Sequence, residues 1–176
     1  MPFDAVLACH VANGLADQLV DAYRGSDYRS PAWLVSAYGH LCSRRIDPRY
    51  VAGAGYAEGQ SVRDEDCEWE PRVLNLVRND FFVSTESMFA WLDTTPLTQR
   101  DHLVAWSKLQ YLLTEAQGDR KGFLADVCPP DPKLWTDDPA ALAARQTAAL
   151  AARFHVTPQE LDEAWSRWAA KAYAHR

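Results

Sequence analysis

Helix-start signals recur along this chain at intervals that leave room for little except helices. The plainest is Thr157-Pro158-Gln159-Glu160, which combines a capping hydroxyl, a proline at the first helical position and a reciprocating glutamate at the third. Asp138-Pro139 opens an alanine-rich segment that reads as helix to about Phe154. Ser30-Pro31 has the same form, and the residues behind it, Leu34, Ala37, Tyr38, Leu41 and Cys42, would make an inner helical face. Arg44 and Arg45 suit the negative end of that helix. Thr98, with Asp101 three residues on, starts a further helix whose Leu103, Trp106, Leu109, Leu113 and Ala116 should face the core, with Gly118 to end it.

Before these lies a segment from Phe3 to Tyr23 in which Phe3, Leu7, Val11, Leu15 and Leu19 recur every four residues, an apolar stripe that drifts slowly around a helix. Helical periodicity also covers Pro71 to Arg78, Ser84 to Leu92 and Lys121 to Val127. Between them, residues 47–69 lose the pattern. Gly53, Gly55 and Gly59 and the acidic run Asp64-Glu65-Asp66 point to one long irregular loop, of a kind that is usually functional. The expected fold is therefore mainly α, a multi-helix array forming one domain over residues 1–176.

With 48% hydrophobic residues and seven tryptophans, a chain of 176 residues can bury a full core, and the tryptophans are expected there. A net charge of −6 argues against nucleic acid, whose phosphates demand a surplus of lysine and arginine. No run approaches the apolar length of a membrane span, and Met1-Pro2-Phe3-Asp4 does not begin a signal peptide, so a cytoplasmic location with free thiols is expected.

Candidate chemistry is sparse. Gly53-Ala54-Gly55-Tyr56-Ala57-Glu58-Gly59 is one residue too long for the dinucleotide-binding glycine pattern. Cys9, Cys42, Cys67 and Cys128 contain no C-x-x-C pair. His10, His40 and Cys42 are the candidate metal ligands, on two helices expected to be antiparallel neighbours. Against a site there, Cys9 and His10 point about 100° apart on a helix, and His40 and Cys42 about 200°. A cleft gathering His10, Asp17, His40 and Cys42 would make the chain an enzyme, either metal-dependent or a Cys/His hydrolase. The acidic residues from Asp64 to Glu70 lack the order of a calcium loop. Asp101-His102 reads as a capping and surface pair. Exposed Trp33, Trp69, Trp91 or Trp135 would instead suggest a structural or assembly subunit.

Ala8-Cys9-His10-Val11-Ala12-Asn13-Gly14, Pro31-Ala32-Trp33-Leu34-Val35-Ser36-Ala37-Tyr38, His102-Leu103-Val104-Ala105-Trp106-Ser107 and Leu161-Asp162-Glu163-Ala164-Trp165-Ser166-Arg167-Trp168 follow one another as do the helices of a known family. Their order resembles the helical half of gluzincin (peptidase MA-like) metallopeptidases. In that family an H-E-x-x-H helix supplies two zinc ligands and a general base, and the following helix supplies a glutamate ligand. The resemblance implies that His10 keeps the first ligand position. Val11 then stands where the general base would be, Gly14 where the second histidine would be, and Ser36 where the ligand glutamate would be. The nine residues before His10 hold no counterpart of the family's sheet. The chain is thus expected to be a degenerate or truncated relative, without cofactor and without catalysis, binding a protein or peptide partner as a zincin-like pseudoenzyme.

Overall fold

A computed structural model describes residues 3–23, 30–51 and 67–174. Among them the chain forms eight α-helices and no strand, in a single-domain array. They are α1 (Phe3–Tyr23), α2 (Ala32–Ile46), α3 (Trp69–Arg78), α4 (Thr85–Phe89), α5 (Gln99–Thr114), α6 (Arg120–Val127), α7 (Pro139–Phe154) and α8 (Pro158–Ala172), with a 3-10 turn at Pro132–Leu134. The first helix keeps the limits read from the sequence. Gly53 to Gly59 and the acidic run Asp64-Glu65-Asp66 lie outside the described residues.

The start signals act largely as written. Thr98 and Thr157 each accept from the amide three residues on, at Asp101 and Glu160, whose carboxylates return to the threonine amides in full capping boxes. Asp138 caps α7 through the amide of Ala140, and Ser84 and Asp119 cap α4 and α6. One signal is corrected. Ser30 makes no capping bond, because Pro31 is still extended at ψ 128° and is itself the residue that precedes the first helical turn; the Ser30 hydroxyl is buried and has no partner among the described residues. A second correction concerns Gly118: α5 already ends at Thr114, and the glycine instead lets the chain pass beside the end of α7.

α2 and α5 form the middle of the array. α1 lies along α2, α2 crosses α5, and α6 pairs with α7, while the short α4 sits against both α7 and α8. One apolar cluster gathers Trp33, Phe89, Leu109, Phe123, Leu150 and Phe154. A second gathers Trp69, Val73, Leu103, Trp106, Trp165 and Tyr173, and the two meet around Leu41, Val83 and Tyr111. Trp33, Trp69, Trp91, Trp106 and Trp165 are all buried and act as core anchors, whereas Trp135 is half-buried. Truncating one such anchor to alanine would cost about 3–5 kcal/mol. Polar atoms carried in with them are mostly matched: Trp33 Nε1 donates to Gln146, which donates on to the Phe89 carbonyl, and Trp165 Nε1 donates to Ser107.

Candidate functional site

Ser36, His40 and Arg44 are spaced four residues apart on α2 and therefore share one face. That face meets His102 and Trp106, likewise four apart on α5, and Trp69 and Glu70 at the start of α3. Nε2 of His40 lies 3.2 Å from Nδ1 of His102, and the Ser36 hydroxyl oxygen lies 2.7 Å from that same nitrogen. The His40 ring stands edge-on to Trp69 with centroids 4.7 Å apart. One turn further along, the Arg44 guanidinium sits 4.6 Å from the centre of the Trp69 ring and 5.2 Å from that of Trp106. It donates to the carbonyls of Tyr50 and Cys67 and pairs with Glu70 at 3.4 Å. Arg44 stands in the last turn of α2, as its sequence position implies, and is also a buried connector between α2 and α3.

Burial dominates the electrostatics. It pushes the His40 imidazole down to about 3, with His102 and Arg44 adding to the fall. Burial also lowers His102, against the opposing pull of Asp101. Both rings are therefore neutral at pH 7. Nδ1 of His40 has no partner among the described residues. A bare ring nitrogen is a smaller burden in that position than an orphaned N–H. We accordingly assign the proton of His40 to Nε2, directed at the single lone pair of His102 Nδ1, which is shared between that N–H at 3.2 Å and the closer Ser36 hydroxyl at 2.7 Å.

The arrangement places a hydroxyl beside an imidazole base. Ser36, however, lies in the second turn of a regular helix, where the neighbouring amides are engaged in helical hydrogen bonds and cannot turn to an oxyanion. His10 sits elsewhere, exposed on α1 with Nδ1 3.3 Å from the Tyr50 hydroxyl. Cys42 is half-buried, and the Asp17 side chain lies outside the described part of the structure. Among the described residues no three His, Cys, Asp or Glu side chains gather so as to hold a metal ion. His10, His40 and Cys42 are therefore not brought to one point. His102 is corrected from surface residue to partner of His40. The four-residue spacing of each set was visible in the sequence, but the helix each would face was not.

The second notable surface is the outward side of α1. This helix docks on α2 through Ala5, Cys9, Ala12, Ala16 and Val20, and the Cys9 thiol donates to the Ser43 carbonyl. The larger residues point away. Leu7, Val11, Leu15 and Leu19 are 52%, 48%, 49% and 61% exposed, so the stripe read from the sequence faces solvent. Small residues won the contact with α2 because they let two helix backbones approach closely. At its far end the stripe runs into an apolar groove of about 560 Å³, walled by Leu19, Val20, Leu34, Tyr38 and Leu124 and edged by Arg120 and Lys121. A separate cleft near Trp91 and Trp135 encloses about 270 Å³, just under the usual range for small-molecule sites.

No helix among the described residues is long and apolar enough to cross a membrane. No family model, curated protein or solved structure matches the chain.

Proposed function

We propose that this chain is a non-catalytic helical module that works by holding a helical protein segment against the outward face of α1 and the groove beside it. The observation that carries this reading is the exposure of Leu7, Val11, Leu15 and Leu19 as one continuous stripe. Scattered exposed leucines need no explanation, but a contiguous apolar strip opening into an apolar groove marks a contact surface. On the gluzincin resemblance such a module is a zincin-like pseudoenzyme, with Val11, Gly14 and Ser36 standing where metal chemistry requires charged or imidazole groups.

The reading requires that the stripe do nothing for the chain's own core. A Val11→Ser, Leu15→Ser double variant should therefore melt within a few degrees of the parent. It should also lose much of the binding of an apolar dye. A drop of ten degrees or more would show that these residues are packed against the chain itself, and the docking reading would fail.

The hydroxyl–imidazole pair supports a second reading, a hydrolase acting through Ser36 with His102 as base. Its test is labelling by a fluorophosphonate. Modification of Ser36 that is lost in His102→Ala would favour it over the first.

A further inference from the structure

We propose that the occupant of the α1 face is a second copy of this chain, docked antiparallel across a two-fold axis close to Asn13. The proposal rests on the docking reading above and names its partner.

The first support is self-complementarity. The outward face carries Asp4, Ala8, Val11, Leu15, Gln18 and Ala22, all exposed and spaced alternately four and three residues apart. This is the seam spacing of a two-helix coil. The positions are symmetric about residue 13. An antiparallel copy therefore sets Val11 against Leu15 of the second copy, and the small Ala8 against the long Gln18 of the second copy, while Leu7 and Leu19 flank the seam on opposite sides. Gly14 lies on this face, and a Cβ there would meet nothing within 4 Å. The two helices can thus approach closely near the axis.

Charge selects the direction. Asp4 is exposed at the N-terminal end of the stripe, whereas Lys121, also exposed, edges the groove beside Leu19 at the other end. Antiparallel docking brings each Asp4 towards Lys121 of the second copy and opposes the two helix dipoles favourably. Parallel docking would set Asp4 against Asp4. In a chain of net charge −6, this cross-pairing offsets locally the general repulsion between copies.

Area sets the strength. A helix of this length is roughly 30 Å long and 10 Å wide. Two such faces with the adjoining groove walls bury on the order of 1,000 Å², at the lower edge of stable interfaces. An interface of this size is that of a reversible dimer rather than an obligate one.

Sedimentation equilibrium of the full chain, from low to several hundred micromolar, tests this. The expected result is a concentration-dependent rise from the 19.8 kDa monomer mass towards twice that value. Asp4→Lys and Lys121→Glu should each weaken association roughly tenfold, and the combined variant should recover most of the loss. Monomer at every concentration, with the Val11→Ser, Leu15→Ser variant melting like the parent, would overturn the second copy and leave a different protein as occupant. Association unaffected by either charge reversal would overturn it too, by placing the contact elsewhere. A large loss of melting temperature in the serine variant would remove both this proposal and the docking reading.

Discussion

Nζ of Lys108 lies 2.6 Å from the carboxylate of Asp162, with no more than 1% of the lysine side chain exposed to solvent. The ammonium also donates to the Val83 carbonyl at 2.8 Å and to the Thr85 hydroxyl at 3.1 Å, so each of its three protons has an acceptor. Asp162 in turn accepts from the amide and the hydroxyl of Thr85. One buried ion pair thereby ties α5 and α8 to the start of α4, a helix of five residues too short to hold itself. Removing one partner of such a pair leaves an uncompensated charge. Lys108→Met should cost about 3 kcal/mol in urea unfolding, and Lys108→Met with Asp162→Asn distinctly less than the sum of the two single changes.

The same lysine gives a pH signature. Burial outweighs Asp162 and pushes Lys108 down to about 8, below its ordinary 10.5. Between those values the unfolded chain binds the proton more tightly than the folded one. The contribution of this group to stability therefore rises as pH rises from about 8 to 10.5, and is least favourable below 8. The difference in unfolding free energy between the parent and Lys108→Met should grow in favour of the parent across that window. A constant difference would show that the lysine titrates at its ordinary value.

His40 predicts an effect at the acid end. Its folded value of about 3 lies below the ordinary 6.5, so the unfolded state takes up the proton first as pH falls. Stability present above pH 6.5 should be lost towards pH 3, at a slope approaching 1.4 kcal/mol per pH unit, and His102 is shifted in the same direction. Replacing His40 with glutamine should flatten this slope in urea titrations repeated across the window.

The assigned tautomers can be read directly. Long-range nitrogen-15 spectra at neutral pH should show the proton on Nε2 in both His40 and His102. Ser36→Ala should move the His102 Nδ1 resonance and leave that of His10 in place. A proton found on His40 Nδ1 would contradict the assignment, because it would leave a buried donor unpaired.

Gly118 offers a steric test. A Cβ at this position would fall 2.5 Å from Cδ1 of Phe154 and 2.7 Å from the Arg153 carbonyl oxygen. That carbonyl also accepts from the Asp119 amide, so it cannot retreat without breaking the bond. Gly118→Ala should lower stability by about 1–3 kcal/mol, and a neutral result would mean that the start of α6 is free to shift.

Local chemistry settled much of this protein. Thr98, Asp138 and Thr157 start helices wherever they stand in space, because a capping side chain and its target amide are three residues apart at most. The limits of α1 and the anchoring role of the tryptophans were legible for similar reasons of period and size. Tertiary structure decided what no local pattern encodes, namely which face of a helix meets which neighbour. The α1 stripe shows this clearly: its large residues have the regular spacing, yet the small Ala5, Cys9, Ala12 and Ala16 took the contact with α2 and left Leu7 to Leu19 outside. His102, adjacent to a capping aspartate, carried no sign that it would meet His40 and Ser36, residues 62 and 66 positions away. Such pairings depend on how α2 and α5 cross, and the crossing is fixed by the packing of the whole array.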